Sequence, residues 1–225
     1  MKILITQSNY IPWKGYFHSI KKVDKFVVFD DMQYTKRDWR NRNLIKTPQG
    51  LKWLTIPVIV KGKFNQPINE TKISDDKWNV KHLNILKENY KKAEHYKEVI
   101  DWIESLYIDC RYEYLTDINQ YFIYRINEFL NINTEILNSK KFNLDEDRNY
   151  RLVKICKELN ASEYYTGPAA KNYLDEALFS KNDIILNYFD YSVFKEYKQI
   201  NGAFEHSVSI IDLIFNIGED AYKYI

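Results

Sequence analysis

Short β-branched segments alternate with amphipathic helical segments along most of this chain, and that alternation constrains its fold more than any other feature. Strands separated by helices pair in parallel, because each helix crosses the sheet and returns the chain to the same edge. We therefore predict an α/β fold with a mostly parallel sheet. The predicted strands are KILIT (2–6), KFVVF (25–29), NTEILN (133–138), SEYYTG (162–167) and DIILNYF (183–189).

Two regions interrupt the alternation. Residues 43–60 have the pattern of two strands joined by a turn at TPQG. Apolar residues from 76 to 131 follow helical spacing, which predicts three helices, with a break near Ala93 and with Thr116 capping the third. We expect this helical insertion to lie against the sheet. Because no linker rich in Gly, Ser or Pro divides the 225 residues, we predict a single domain over 1–225. Further helices are expected at 151–160, 169–174 and 208–218, the last ending at Gly218.

Composition and charge argue against several classes of protein. The 33 Lys and Arg against 31 Asp and Glu give a net charge of +2, so no global basic field favours nucleic acid. No apolar run approaches the roughly 20 residues that span a bilayer, and the first residues become polar too early for a signal peptide. We expect a soluble, cytoplasmic protein. Cys110 and Cys156 stand apart from each other and from the four histidines, so we expect two reduced core thiols and no metal site.

Polar residues follow the first predicted strand, where ligands bind in open α/β sheets. Lys14 and His18 lie four residues apart on one face of the next helix, and a pair of cations beside a helix N-terminus suits a phosphate group. The segment has neither a dinucleotide-binding glycine fingerprint nor a P-loop. The alternative is that Asn9 only caps the helix and Trp13 belongs to the core. The candidate ligand-binding residues here are Gln7, Asn9, Tyr10, Trp13, Lys14 and His18.

Two carboxylates, Asp30 and Asp31, follow the second predicted strand and precede Gln33 and Tyr34. A single carboxylate in this place could accept a proton from a substrate. Adjacent side chains point to opposite faces of a strand, so both carboxylates could bind one magnesium ion only on an irregular backbone. The segment therefore favours a general base, and no metal is expected.

A basic segment comes next. Between residues 36 and 63 eight Lys or Arg stand against one acid, Asp38, which gives a local charge of +7. Guanidinium groups bind phosphate through two hydrogen bonds, and a tryptophan can stack on a base. A merely solvated loop has no need for Trp39, so we favour ligand binding over that alternative. The candidates are Lys36, Arg37, Trp39, Arg40, Asn41 and Arg42.

The third candidate lies at the end of the fourth predicted strand, with Tyr165 and Gly167. If the sheet is parallel, this loop meets the two loops described above at one edge. The alternative is an ordinary strand-to-helix turn. His206, which precedes the last predicted helix, completes the set of candidate binding residues.

Five tracts of the chain together resemble the WbqC-like protein family over nearly its whole length. They are QSNYIPWKGYF (7–17), DDMQYTKRDWRNRN (30–43), GLKWLTIPV (50–58), YYTGPAAKNYL (164–174) and SIIDLIFNIG (209–218). Members of that family occur in bacterial gene clusters for O-antigen and surface polysaccharides. The family has been suggested to include a glycine transferase that acylates an amino sugar. The resemblance implies a role in polysaccharide biosynthesis, and amide formation as the reaction.

A second resemblance concerns the fold. The first strand, its polar loop and helix, and a strand that leads to Gln33 and Tyr34 are similar to pantothenate synthetase and its nucleotidyltransferase-like (HUP-like) relatives. Those enzymes make an acyl adenylate and pass the acyl group to an amine, which makes ATP a possible cofactor. This chain departs from their His-x-Gly-His signature, having Trp13, Lys14 and Gly15 in the corresponding loop.

Taken together, these features predict an enzyme, an acyl- or aminoacyltransferase that forms an amide on a nucleotide-linked amino sugar. Asp30 or Asp31 would be the base, with Asn9 and Gln33 as donors to the oxyanion. Arg37, Arg40 and Arg42 would bind the diphosphate. A free amino acid with ATP, an acyl thioester and a charged tRNA all fit as acyl donor. Two alternatives remain open: a tRNA-binding protein that uses the basic segment, and a non-catalytic protein that binds sugar nucleotides.

Overall fold

The computed structural model of the chain describes residues 1–144 and 147–225. Its strands are β1 (Lys2–Thr6), β2 (Lys25–Val28), β3 (Arg42–Thr47), β4 (Gly50–Thr55), β5 (Glu135–Asn138), β6 (Glu163–Thr166) and β7 (Ile185–Tyr188). Its α-helices are α1 (Lys14–Lys21), α2 (Trp78–Tyr90), α3 (Tyr96–Ile108), α4 (Leu115–Phe129), α5 (Arg148–Glu158), α6 (Glu176–Ser180) and α7 (Ile210–Ile217).

Five strands form one sheet in the order β5-β2-β1-β6-β7, and every neighbouring pair is parallel. This confirms the predicted α/β fold with a mostly parallel sheet. Numbered along the chain, these strands lie in the order 3-2-1-4-5, which is that of doubly wound sheets. In such sheets ligands bind outside the carboxyl edge, where the strand order reverses. Here the reversal falls between β1 and β6.

The sheet is covered on both faces, because alternate residues of each strand point to opposite sides. Ile3 and Ile5 of β1 pack with Val27 of β2 in a cluster that includes residues of α5 and α6. Leu4 and Phe26 face the other way, into a larger cluster that includes residues of α1 to α4 and of α7. Coverage on both faces explains why β1 and β2 contain consecutive apolar residues rather than an alternating pattern.

The two interruptions in the alternation have the predicted form. β3 and β4 pair antiparallel with Thr47 opposite Gly50, so TPQG is the turn of a hairpin. The helices of the insertion are α2, α3 and α4, and the break between the first two contains Ala93. One detail of the prediction is wrong, because α4 begins at Leu115 and Thr116 does not cap it. The Thr116 hydroxyl instead donates a 2.6 Å hydrogen bond to Asp30 at the end of β2.

The helical insertion shares its core with the loop after β1. The Tyr10 side chain is fully buried, and its hydroxyl lies 2.9 Å from His82 Nδ1 and 2.8 Å from the Tyr107 hydroxyl. The rings of Trp78 and Phe122 approach Tyr10 edge-on, at centroid distances of 5.7 and 5.5 Å. This aromatic cluster joins α2, α3 and α4 to the sheet.

The last part of the chain differs from the prediction in one element. In place of an α-helix at 169–174, a 3-10 helix spans Pro168–Asn172 and the short α6 follows it. The end of the chain is as predicted. The Ser209 hydroxyl caps α7 by accepting from the Ile211 N–H, and α7 ends at Gly218, whose φ of 63° suits glycine.

Residues 189–208 form no helix or strand, and we call them the C-terminal strap. Two buried lysines hold the strap on the body of the protein. Lys14 Nζ donates to the Lys195 carbonyl at 2.7 Å. Lys46 Nζ donates to Gln199 Oε1 at 3.0 Å and to the Ala203 carbonyl. The strap is therefore anchored at both its middle and its end.

Both cysteines are buried and unpaired, as predicted. Burial raises the pKa of the Cys110 and Cys156 thiols to about 12, which disfavours the reactive thiolate. Among residues 1–144 and 147–225 the structure contains no helix with the length and apolar character needed to cross a bilayer.

Candidate functional site

A cleft lies beside the loop that follows β1. It encloses about 210 Å³, and we call it the aromatic cleft. Ligand pockets of roughly 300–1,000 Å³ enclose most of a drug-sized molecule, so this space suits one ring or sugar of a larger ligand. Its lining residues are Asn9, Pro12, Trp13, Trp39, Asn43 and Ser207.

The loop that lines the aromatic cleft contains one strained residue. Ile11 is fully buried and has a φ of 35°, which is unusual for a β-branched residue. The Ile11 carbonyl accepts hydrogen bonds from Asn43 Nδ2 at 3.0 Å and from the Ser209 hydroxyl at 2.8 Å. Backbone strain persists where the surroundings enforce it, and it clusters at ligand sites. Asn43 and Ser209 thus hold the loop in the shape that forms the cleft.

One wall is Trp13, which the strap supports. Its ring lies edge-on to Tyr191 at 5.0 Å and to Phe194 at 5.7 Å. The ring also folds over Gly15, where an added Cβ would lie 2.2 Å from it. Glycine at this position therefore allows the tryptophan to close the cleft. Asn9 does not cap α1, which begins after Trp13 without a side-chain cap.

Arg40 connects the loops after β1 and β2. Its guanidinium donates to Asn9 Oδ1 through Nη1 and to Gln7 Oε1 through Nη2. Since a guanidinium can only donate, both amide oxygens must face it. Neither the Asn9 nor the Gln7 NH2 group has a hydrogen-bond partner among the described residues, so each is available to a ligand.

Two exposed tryptophans extend the aromatic cleft. Trp39 and Trp53 are 40% and 39% exposed, and their ring centroids lie 5.3 Å apart. The Arg42 guanidinium carbon lies 4.0 Å from the Trp53 ring centroid, and Arg42 also donates to the Arg37 carbonyl. Rings and guanidinium groups in this arrangement can stack on a base and bind phosphate.

The basic segment does not form one continuous surface. Lys36 and Arg37 are exposed, whereas Lys46 is buried against the strap and Arg40 is occupied by two amides. The local charge of +7 is therefore divided between exposed side chains and structural contacts.

Lys14 lies in an aromatic cage beneath the strap. It is 2% exposed, and its ammonium group lies 5.2 Å from the ring centroids of Phe194 and Tyr197 and 5.5 Å from that of Phe204. Burial lowers the pKa of Lys14 to about 8, although the charge of Glu196 acts in the opposite direction. The described residues place no carboxylate within 4 Å of this ammonium.

His18 faces the strap, and His206 belongs to it. The His18 ring lies edge-on to Phe194 at 5.0 Å, and burial, followed by the charges of nearby lysines, lowers the pKa of His18. His206 packs edge-on against Phe204 at 4.6 Å, and its buried Nδ1 has no hydrogen-bond partner among the residues that the structure describes. Burial and the charge of Lys14 lower the pKa of His206, which favours the neutral imidazole. His206 directly precedes Ser207 in the cleft wall.

The two carboxylates occupy different environments. Asp30 is 1% exposed and accepts from the Ser8 N–H at 2.8 Å, the Ser8 hydroxyl at 2.7 Å and the Thr116 hydroxyl. Burial raises the pKa of Asp30, and these hydrogen bonds act against that rise. Asp31 is half-buried and accepts from Asn69 Nδ2 at 2.8 Å and from the Ser139 hydroxyl. It lies outside the aromatic cleft, in an open depression of the surface.

Four of the candidate residues make contacts within the protein. The Gln33 amide donates to the Phe64 carbonyl at 2.9 Å, and Asn41 Nδ2 donates to the Ile56 carbonyl at 2.7 Å. Tyr34 is buried, and Tyr10 has no exposed surface. A ligand could reach Tyr10 only if the loop above it moved.

A second cleft opens at the carboxyl ends of β1, β2 and β6, and we call it the switch-point cleft. It encloses about 100 Å³. Of the predicted site residues, Gln7 lines this cleft. The Tyr165 hydroxyl instead donates a hydrogen bond to the Glu163 carboxylate at 3.0 Å. Sequence reasoning missed Arg148 and Tyr173 here, as well as Asn43, Trp53 and Ser207 near the aromatic cleft. The residues that line the switch-point cleft are Ile5, Thr6, Gln7, Phe29, Met32, Arg148, Leu152, Tyr164, Thr166 and Tyr173.

The described parts of the chain bring no three His, Cys, Asp or Glu side chains together in a group that could hold a metal ion. The polar groups at both clefts are amides, hydroxyls and guanidinium groups. They suit an anionic or hydrogen-bonding organic ligand.

Comparison with known proteins identifies the family. The model of the WbqC-like protein family matches residues 7–224, and the chain belongs to that family. It is also 46% identical over 224 residues to a Mycobacterium tuberculosis protein described as uncharacterized protein Rv1507c. That match covers 100% of this chain and 97% of the relative. No solved structure matches the chain.

The Lys14 cage generates a prediction about stability. Because the pKa of Lys14 falls from its ordinary value of 10.5 to about 8, the unfolded chain binds more protons than the folded protein between these values. Protonation of Lys14 therefore lowers the free energy of unfolding most below pH 8, and this cost decreases as the pH rises. We expect the stability of wild type relative to Lys14→Met to rise between pH 7 and pH 9.5 in urea unfolding experiments. Lys36→Met, at an exposed position, is the matched control. If the free energies of unfolding of wild type and Lys14→Met change in parallel with pH, the lowered pKa of Lys14 is wrong.

Proposed function

We propose that this protein is an acyl- or aminoacyltransferase that forms an amide on a nucleotide-linked amino sugar for a surface polysaccharide. The observation that carries the proposal is the aromatic cleft, where Arg40 orients the amide of Asn9 at the carboxyl edge of a parallel sheet. The family resemblance described above implies a role in polysaccharide biosynthesis, and this suggests a nucleotide-linked amino sugar as the acceptor.

The aromatic cleft has the groups that a sugar nucleotide needs. Trp39 and Trp53 offer exposed ring faces for the base. Arg42 lies beside them, and its buried Nε has no hydrogen-bond partner within 1–144 and 147–225. A diphosphate bound at Arg42 would satisfy this donor and neutralise the guanidinium. The sugar would then enter the enclosed part of the cleft, beside Trp13 and Asn9.

Amide formation requires three events at this site. The sugar ammonium loses a proton, its nitrogen attacks the acyl carbonyl carbon, and the leaving group departs with the electron pair of its bond to that carbon. The free NH2 of Asn9 can stabilise the oxyanion of the tetrahedral intermediate. Gln33 is a weaker candidate for this role, because its amide already donates to Phe64. An acyl thioester, an acyl adenylate made with ATP and a charged tRNA all supply the required leaving group.

Of the two carboxylates, Asp31 is our proposed proton acceptor; because it lies outside the aromatic cleft, it would take the ammonium proton through solvent. Its side chain is half-exposed, so solvent or substrate can reach it, whereas three hydrogen bonds hold Asp30 in the interior. Asp30 then serves to position the loop that carries Asn9.

The two aspartates should therefore respond differently to substitution. Asp31→Asn should reduce turnover roughly 100-fold with little change in ligand affinity, because a base acts only in the reaction step. Asp30→Asn should instead lower stability by about 1–3 kcal/mol, because an amide cannot accept all three hydrogen bonds. The measurements are amide product by mass spectrometry, with a panel of nucleotide-linked amino sugars and acyl donors, and urea unfolding. Full activity of Asp31→Asn would show that Asp31 is not the base, and His206 would be tested next.

Arg42 provides a test of phosphate binding. Arg42→Lys should weaken sugar-nucleotide binding nearly as much as Arg42→Ala, because lysine lacks the planar fork that meets two phosphate oxygens. Isothermal titration of both variants would measure this. Arg40→Lys should weaken binding as well, but through loss of the orientation of Asn9. Wild-type affinity in Arg42→Lys would contradict bidentate binding and indicate a diffuse electrostatic contribution.

The exposed tryptophans also favour a second candidate function, binding of single-stranded nucleic acid such as the end of a tRNA. Lys36, Arg37 and Lys52 lie exposed in the same segment. In that case the logarithm of the affinity should fall by about 0.7 per phosphate contact for each unit of log salt concentration. Filter binding with tRNA between 50 and 300 mM salt, about a sixfold range, would separate this function from the binding of a small nucleotide.

A further inference from the structure

The switch-point cleft lies apart from the aromatic cleft, and the function proposed above leaves it unused. We propose that it binds the carboxyl or acyl end of a small organic acid, at the same time as a second ligand occupies the aromatic cleft. The binding site is inferred from its own geometry. Its role as the subsite of the acyl donor rests on the proposed function.

The position of this cleft in the sheet is the first argument. β1 leads through α1 to β2 on one side, while β6 leads to β7 on the other, so the chain departs in opposite directions from these two neighbours. The crevice that results is where doubly wound sheets bind ligands. Thr6 at the end of β1 and Thr166 at the end of β6 line it together.

The charge at the mouth of the cleft is the second argument. The guanidinium carbon of Arg148 lies 3.7 Å from the centroid of the Tyr173 ring, so the ring supports the guanidinium and limits its motion. Among the described residues no carboxylate lies within 4 Å of Arg148. Its N–H groups can therefore meet the two oxygens of a carboxylate side by side.

The interior supplies a second, oriented donor. Arg40 binds the oxygen of the Gln7 amide, so the Gln7 NH2 group is the end left for a ligand. Gln7 lines the switch-point cleft, and Thr6 and Thr166 add hydroxyl groups. An acyl oxygen would thus find neutral donors inside and a cation at the entrance.

Size and polarity limit what can enter. The cleft encloses about 100 Å³, less than half of the space in the aromatic cleft. Apolar side chains, among them Ile5, Phe29 and Leu152, form the rest of its surface. A nucleotide is too large for this space, while a short aliphatic acid matches both its volume and its apolar walls.

Arg40 makes the two clefts neighbours. One nitrogen of its guanidinium holds Asn9, which lines the aromatic cleft, and the other holds Gln7, which lines the switch-point cleft. A single side chain therefore orients one donor in each cleft. This arrangement fits a reaction in which an acyl group and an amine arrive from separate sites.

The test uses acetate, propionate, benzoate and inorganic phosphate as probes of the full-length protein. Binding is followed by NMR, through the saturation transferred to each probe and the ¹⁵Nε signal of Arg148. We expect acetate and propionate to bind and benzoate to be excluded by size. Arg148→Gln and Arg148→Lys should weaken acetate binding about tenfold or more, as expected for loss of a charge-assisted pair. Arg111→Gln, at an exposed arginine between α3 and α4, is the matched control and should have no effect.

Three outcomes would overturn the inference. They are the absence of binding by both aliphatic acids, unchanged acetate affinity in Arg148→Gln, and displacement of acetate by a sugar nucleotide in simple competition. Binding of phosphate but of neither aliphatic acid would also overturn it. The proposed function fails separately: acetate binding through Arg148 without amide product from any donor would leave the site standing and remove the transferase. Amide product that is insensitive to Arg148→Gln would leave the transferase standing and would remove this cleft as the subsite of the acyl donor.

Discussion

The buried carboxylate of Asp30 joins the three segments on which the rest of the site depends. Its oxygens accept hydrogen bonds from Ser8 in the loop after β1 and from Thr116 in α4. Asn119, one turn further along α4, donates to the Ser8 hydroxyl and to the carbonyl of Arg40. A buried charge is tolerated only when its hydrogen bonds are complete. The position of Arg40, and hence of both amides that it orients, therefore follows from this one buried acid.

The strap shows the opposite use of buried charge. Lys14 and Lys46 enter the interior without a carboxylate partner within 4 Å among the described residues, and carbonyl oxygens and aromatic rings surround them instead. Such contacts hold a segment that has no helix or strand of its own. The cationic groups that a sequence pattern would assign to a ligand can thus be occupied in holding the protein's own backbone.

Much of the fold could be predicted from the sequence, because strand length, helical spacing and the TPQG turn are local signals. The site was harder to predict. Proximity to strand ends brought attention to Gln7, Asn9 and Arg40, which the structure places in contact, but it could not distinguish the buried Asp30 from the half-exposed Asp31. Arg148 begins α5 and Tyr173 follows the 3-10 helix Pro168–Asn172, and nothing in either local pattern indicates that they meet. Burial and pairing over long sequence distances are decided by tertiary packing, which a local pattern does not contain.

The hydrogen bond from Ser209 to the Ile11 carbonyl spans 198 positions of the chain. Contacts of such high sequence separation form late, because a long loop must close before any stabilising contact is gained. During synthesis, the strained loop at Ile11 leaves the ribosome long before the segment that stabilises it. The aromatic cleft therefore takes its final shape only once the segment around Ser209 packs against the loop at Ile11.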